Sequence, residues 1–169
     1  MLNRLDNGAL VFLRPIRAGD KLALQCSLRA LSDASTRARF LAPKDRFSRQ
    51  ELQYLTEVDG HDHVAFVAVE ALHPMRIVGV GRYVRDPLEP GTAEAAITVA
   101  DHLQGHGLGR LLGQKIADAA RAEGIEGFSA SMLSENVAAL RLFASISERL
   151  DTSPIDGPVR EIYAELLAA

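Results

Sequence analysis

Tryptophan is absent from this 169-residue chain, and cysteine occurs once, at Cys26. A single thiol excludes an intrachain disulfide and a cysteine-built zinc centre. Cys26 falls in a helical segment, residues 21–31, where it reads as ordinary packing. Aromatic residues make up 5% of the chain, so aliphatic side chains must build the core, and a 47% apolar content suffices for that. The formal net charge is -3 with no basic cluster. This excludes the electrostatic footprint of a nucleic-acid binder. No apolar run approaches the roughly 20 residues of a membrane span, and the mixed, charged residues 1–6 do not form an apolar signal segment. Repeats and low-complexity stretches are lacking as well. The expectation is a cytoplasmic protein with one domain over residues 1–169 and neither nucleic acid nor membrane as partner; composition does not set the oligomeric state.

What is present alternates between strand and helix signals. Ala9-Leu10-Val11-Phe12-Leu13 reads as a strand that stops near Pro15. Gly19-Asp20 opens a helix over 21–31, with Asp20 as N-cap and Leu22, Leu24, Leu28 and Leu31 near helical spacing. Ser32-Asp33-Ala34-Ser35-Thr36 is a turn or a cap. Residues 48–58 form a second helix, in which Ser48 caps and Glu51 completes a capping box. Strands follow at 63–70, 76–84 and 92–100. Gly79 and Gly81 in the second mark a bulge or a close backbone approach. The continuous apolar half of the third, Ala95-Ala96-Ile97-Thr98-Val99-Ala100, predicts burial on both faces. A long helix, 108–121, carries a buried stripe of Leu108, Leu111, Leu112, Ile116 and Ala119 and ends at Gly124. A strand over 125–132 leads to a shorter helix opened by Asn136, and residues 159–167 close the fold as a strand or a helix. This order predicts an α/β fold with a mixed, mostly antiparallel sheet flanked by helices. Its last strand–helix–strand unit should be parallel and right-handed.

The most informative stretch is Gln104-Gly105-His106-Gly107-Leu108-Gly109-Arg110, between the end of a strand and the start of the long helix. A glycine-rich turn there bares backbone N–H groups, with the helix dipole behind them, and so forms a seat for an anion, usually a phosphate. Three kinds of loop compete. A nucleotide-binding Walker loop requires Lys-Ser/Thr after its last glycine, and neither follows Gly109. A dinucleotide-binding loop requires Gly-x-Gly-x-x-Gly followed by an acid at the end of the next strand. Here the third glycine comes one residue early, and Glu126 sits at the start of its strand. The third pattern, Gln-x-x-Gly-x-Gly, is met by Gln104, Gly107 and Gly109.

That pattern resembles the acyl-CoA loop of the GNAT acetyltransferase superfamily, and the flanking strand, helix, strand and Asn136 fall in the same order. Leu13-Arg14-Pro15-Ile16-Arg17, the Ser32…Thr36…Arg39-Phe40 stretch, residues 93–99 and Leu133-Ser134-Glu135-Asn136 are further similar to the acetyltransferase domain of bacterial Pat-type protein-lysine acetyltransferases. The likeness covers most of residues 9–145 and is poor in the last quarter. It implies a GNAT-like fold and transfer of an acetyl group from acetyl-CoA, as co-substrate and without a metal, to a primary amine. A protein lysine is the favoured acceptor and a small-molecule amine the rival. A non-catalytic acyl-CoA-binding sensor is a third reading.

The resemblance also implies roles for particular residues. The diphosphate of coenzyme A would lie on the main chain of Gln104, Gly105, His106, Gly107, Leu108, Gly109 and Arg110. Its pantetheine arm would lie along Ile97, Thr98 and Val99, where a backbone N–H near Val99 would polarise the thioester carbonyl. Asn136 is either a plain helix cap or a contact to the cofactor arm. A lysine amine has a pKa of about 10.4 and must lose a proton to attack. Glu94 is the candidate base, on the expectation that an apolar strand desolvates it; the alternative is a solvated or salt-bridged carboxylate. Relatives use a tyrosine in the last helix as general acid. The matching position here is Phe143, which leaves Tyr83 and Tyr163 as substitutes. Arg37, Arg39 and Arg46 could meet an acidic acceptor. His61-Asp62-His63 alternate at a strand start without a nearby third ligand, so no metal site is expected.

Overall fold

Alternation along one strand fixes the layers. In β3 (His63–Glu70), Ala65, Val67 and Val69 point to one side, against Ile16, Ala23 and Leu24. Ala68 and Phe66 point to the other, against Leu108 and Leu112. A sheet apolar on both faces must be covered on both, and this one is. The computed structural model describes residues 1–167. Its sheet has eight strands: β1 (Leu2–Arg4), β2 (Leu10–Pro15), β3, β4 (His73–Arg85), β5 (Thr92–Val99), β6 (Gly127–Leu133), β7 (Ser147–Thr152) and β8 (Val159–Leu166). They lie in the order β1-β2-β3-β4-β5-β6-β8-β7. The β5–β6 pair is parallel and the other pairs are antiparallel. Helices α1 (Lys21–Arg29), α2 (Asp33–Phe40) and α3 (Arg49–Thr56) precede β3; α4 (Leu108–Ala122) joins β5 to β6, and α5 (Val137–Ala144) follows β6.

The glycines of β4 mark close approach to a helix, and Gly79 also borders a bulge. A Cβ on Gly81 would stand 3.2 Å from Leu112 Cβ and 3.4 Å from the Leu112 carbonyl, and one on Gly79 would stand 2.8 Å from Leu112 Cδ1. Helix α4 therefore lies directly on the sheet, with Leu108, Leu112, Ile116, Ala117 and Ala120 inside. The expected stripe shifts by one position, since Leu111 and Ala119 are half-buried. The register shifts opposite Ala68–Glu70 of β3, where Val78 of β4, beside Gly79, is passed over in the ladder.

Several expectations need correction. Asp20 is no side-chain cap for α1. Its carboxylate takes two hydrogen bonds from Arg14, both 2.7 Å, and one from the Arg17 N–H at 2.8 Å. Burial opposes its ionisation, but these donors outweigh that and hold the carboxyl below its ordinary range. Cys26 is exposed on α1 and not packed, and Leu22 is exposed too. The Ser32 turn caps a full helix, α2, and β1 and β7 add two edge strands. Residues 159–166 are a strand, and the expected last strand residue, Leu167, lies just outside it. The Ser48–Glu51 capping box of α3 is present in both directions. Among the described residues no helix is long and apolar enough to cross a membrane.

Because Gly81 faces the body of α4 and not a flexible chain end, overpacking should be costly there. Gly81→Val is expected to lower unfolding free energy by about 1–3 kcal/mol, read as a reduced urea midpoint with an unchanged slope.

Candidate active site

The site begins where two strands part. β5 pairs with β4 along its whole length, yet its parallel ladder with β6 holds Thr92↔Gly127, Ala93↔Phe128 and Glu94↔Ser129 and then stops. The Ala100 N–H donates to the Val78 carbonyl at 2.8 Å. Neighbouring strand residues turn their backbone groups to opposite sides. The even-numbered residues of β5 therefore bond to β4, and the N–H and C=O groups of Ile97 and Val99 face the gap. A cleft of about 850 Å³ opens there, walled by β5, β6, α2, α5 and the glycine turn. This overturns the expected double burial of β5: Ile97, Thr98 and Val99 are half-buried because the strand that would cover them has diverged.

The glycine turn forms one end of the cleft. Gly105 and Gly107 hold φ of 75° and 87°, left-handed conformations that side-chain-bearing residues rarely adopt. Gly107 is the N-cap of α4 and supplies no side-chain cap. Among the described residues, the N–H groups of residues 105–110 have no acceptor. The first turn of any helix leaves such orphans; here the preceding turn adds more of them on the same side. Gln104, Gly105, Gly107, Gly109 and Arg110 line the cleft. The side chains of His106 and Leu108 do not. The His106 carbonyl accepts from the Asp6 N–H at 3.3 Å, and Leu108 is buried in the core.

Gln104 and Asp101 tie this turn to α2, a connection that sequence reading missed. Gln104 Nε2 donates to the Val99 carbonyl at 3.1 Å and to Ser35 Oγ at 2.9 Å. The Asp101 carboxylate accepts from the Ser32 N–H, Ser32 Oγ and Ser35 Oγ at 2.9, 2.6 and 2.7 Å. The signal was there in Ser32…Ser35 as a cap, but its partner lies 66 to 69 residues along the chain. Asn136 acts as the helix cap. Its Oδ1 accepts from the Ala139 N–H at 3.0 Å as a cap, while its amide nitrogen has no partner among the described residues and the residue lines the cleft.

At the other end, Glu94 marks the last rung before the strands part. It is exposed, so the desolvation expected of its strand is not there in the free protein. Arg39 of α2 reaches the same part of the cleft and feels the Glu94 charge; burial pulls its pKa down and Glu94 pulls it back up. Phe143 is buried in the cleft wall. Neither proposed substitute hydroxyl is placed to replace it as an acid. Tyr83 is fully buried, donates to the His61 carbonyl at 3.1 Å, and is pushed up to about 12 by burial and by Glu123. Tyr163 is half-buried on β8, outside the cleft lining. Of the other arginines, Arg37 faces a separate cavity beside Arg29 and Lys44, and Arg46 is exposed. His61, Asp62 and His63 turn to different partners: Glu123, Arg85 and Arg82.

A mixed sheet that opens beside its one parallel pair, with a glycine turn of unbonded N–H groups at the opening, is the architecture of the GNAT acyltransferase fold. The profile of the Acetyltransferase (GNAT) family matches residues 28–146, and the chain belongs to that family. It is 36% identical over 121 residues to Acetyltransferase PA5475 of Pseudomonas aeruginosa, covering 71% of this chain and 64% of that protein. It is 32% identical over 136 residues to Acetyltransferase Pat of Mycolicibacterium smegmatis, covering 80% of this chain and 40% of the relative. The chain thus spans well under the full length of both. The GNAT domain of S. lividans PAT superposes with a TM-score of 0.86 at 26% identity, covering 98% of this chain and 96% of that one.

The polar cluster behind Glu94 carries a pH consequence. Burial, then the neighbouring Arg82 charge, push His63 down to about 4, against a weaker pull from Asp59. An unfolded histidine titrates near 6.5. Between about 6.5 and 4 the unfolded chain therefore binds a proton that the folded chain refuses, and stability falls as pH falls through that window. The melting temperature should drop more steeply over this range in the wild type than in His63→Gln, as scanning calorimetry at matched ionic strength would show.

Proposed function

We propose that this protein transfers the acetyl group of acetyl-CoA to a primary amine, with a protein lysine side chain as the acceptor. The observation that carries the reading is the row of unbonded N–H groups at residues 105–110, set at the mouth of a gap between β5 and β6. Main-chain donors at a helix start suit a diphosphate, and the gap suits an amide-bearing arm that can pair with the free edge of β5 as a missing strand would. The likeness to Pat-type proteins supports lysine over a small amine. Lysine acetylation, an acyl-CoA co-substrate and a cytoplasmic setting belong to this proposal.

In this reading Gly105, Gly107, Gly109 and the main chain of Gln104, His106, Leu108 and Arg110 hold the diphosphate. Arg110 adds a cation, and the Asn136 amide reaches the arm. Ile97 and Val99 offer backbone groups to the arm, with Thr98 turned toward the acceptor side, and the Val99 N–H faces the place where the thioester carbonyl would become an oxyanion. The chemistry needs a neutral amine. At pH near 7.4 the proton costs about 4 kcal/mol for a lysine of ordinary pKa. Glu94 takes that proton, through a water given its exposure. The amine nitrogen then bonds to the carbonyl carbon, and the carbon–sulfur bond breaks. The thiolate leaves unassisted, consistent with a thiol pKa of about 8.5 and a phenylalanine at position 143.

Two substitutions separate binding from chemistry. Glu94→Gln should lower kcat about 100-fold or more while leaving the dissociation constant of coenzyme A within about twofold. Gly107→Val should instead weaken coenzyme A binding, measured by calorimetry, through a strained φ at the anion seat. Mass detection of acetylated product across a panel of proteins and amines, with thiol release as the rate, tests the acceptor. Full activity in Glu94→Gln would remove it as the base, and tight coenzyme A binding without turnover of any amine would favour a sensor.

A further inference from the structure

Arg82 is a buried arginine with no acid. It is 6% exposed, on the face of β4 that looks toward α1 and α3. Its guanidinium bonds to His63 Nε2 at 3.2 Å and to the Leu55 carbonyl at 3.0 Å. Two other shielded arginines have carboxylates: Arg14 holds Asp20 at 2.7 Å and Arg85 holds Asp62 at 2.7 Å. Among the described residues Arg82 has no ion pair, and neither does Arg39, the nearest cation to it. His63 offers no compensating charge, since burial favours its neutral form. An uncompensated buried charge costs several kcal/mol, and proteins normally pair it.

The position of this surplus gives it meaning. Arg82 lies opposite Ala96 in the β4–β5 ladder, and Val84 opposite Glu94, so Arg82 and Glu94 share one face of the sheet two rungs apart. Ala96, Glu94 and Arg39 line the cleft. Arg39 interacts electrostatically with both Glu94 and Arg82. Two guanidinium charges face one carboxylate, which leaves one positive charge over, at the end of the cleft away from the glycine turn. The Arg39 guanidinium lies 4.9 Å from the centre of the Phe40 ring, a contact that orients its planar fork.

We propose that the acceptor carries a carboxylate beside its amine, and that Arg39, backed by the buried Arg82, is the receptor for that carboxylate. The inference rests on the amine-acetylating reading of the same cleft and narrows its acceptor class. The carboxylate has two possible sources: an acidic residue next to the acceptor lysine of a protein, or the carboxyl group of a free amino acid. Burial and the like charge of Arg39 push Arg82 down to about 10, so it remains a cation at neutral pH and its field is available to an incoming anion. Arg39 makes the contact. Arg82 is a positioning charge, because it is covered by Leu55 and His63.

The test uses two matched acceptor pairs. One is a capped Gly-Asp-Lys-Gly peptide against its Gly-Asn-Lys-Gly counterpart; the other is L-lysine against L-lysinamide. Each is measured by thiol release with saturating acetyl-CoA and by calorimetric binding to the protein loaded with coenzyme A. The acidic member of at least one pair should show a kcat/KM about tenfold higher and bind correspondingly tighter; which pair does so identifies the source. In Arg39→Gln the ratio within that pair should fall to about one, with partial recovery in Arg39→Lys. Arg82→Met, which keeps much of the buried volume, should lower the ratio at least about threefold without weakening coenzyme A binding. Equal use of both members of both pairs, or an Arg39→Gln variant that keeps the ratio, overturns the receptor while leaving acetyl transfer intact. Preferential binding of the acidic members without any thiol release leaves the receptor standing and removes the transfer reading. Neither binding preference nor turnover removes both.

Discussion

Everything at the site depends on β5 having two neighbours for three residues and one thereafter. While β6 is paired, Ala93 is a core residue and the strand is an ordinary central one. Past Glu94 the same strand keeps its hydrogen bonds to β4 and presents an unpaired edge inside the molecule. An unpaired edge is normally a liability. Here it faces a cleft and not open solvent, and α4 and α5 keep that cleft open. Gly109 and Gly113 of α4 lie against Leu142, Val99, Ile146 and Ile97, with would-be Cβ contacts of 3.4 to 3.8 Å. The glycine side of α4 thus lets α5 and the strand after it close behind the gap without filling it. The glycines of β4, opposite Leu112, seat the body of the same helix. One helix therefore sets both the depth of the cleft and the direction in which its own amide-rich start points.

In the proposed reading, that arrangement lets a chain of net charge -3 offer an anion site without a basic patch. Apart from Arg110, which lines the cleft, the turn presents main-chain donors with the helix dipole behind them. Such donors cost no side-chain entropy and are fixed before a ligand arrives. The opposite end works differently, through side chains: Glu94, Arg39 and the buried Arg82. The two ends are not independent. Asp101 and Gln104 leave β5 and bond to Ser32 and Ser35, so the helix that carries Arg39 is anchored at its start by the turn that forms the anion seat. Gln104 also bonds to the Val99 carbonyl, which places one side chain between the cleft wall and both ends of the site.

Local signals made much of this legible. The strand over His63–Glu70 has the residues its pattern predicts, because valine and phenylalanine there are bounded by turn residues. The capping box at Ser48–Glu51 places α3 because both partners sit within one turn. The glycine turn was readable because its conformations demand glycine. What was not legible depended on distant partners or weak patterns. Helix α2, Asp33–Phe40, buries Thr36 alone and has little apolar stripe to betray it; Asp101 stabilises its start from far along the chain. The edge strands β1 and β7 are short or rich in charge, with Ser147–Thr152 burying no residue fully. Asp20 precedes a helix, and so looked like a cap, but a bidentate arginine outcompetes a single backbone N–H for its carboxylate. The burial assigned to Ile97–Val99 failed because sequence shows how apolar a strand is, not where its neighbour leaves it.

The same distinction bears on the chemistry we propose. A carboxylate meant to act as a base gains from burial, since desolvation brings its proton affinity toward that of the amine. Glu94 is exposed in the free protein, and Arg39, in the same part of the cleft, feels its charge. The deficit is smaller than it looks if the acceptor itself completes the environment. A bound acceptor covers Glu94, and a carboxylate on that acceptor occupies Arg39. A free protein with a solvated glutamate and a surplus buried arginine is then not an incomplete active site. In the proposed reading it is one whose electrostatic balance closes on an acceptor of matching charge, and an uncharged amine would leave both defects in place.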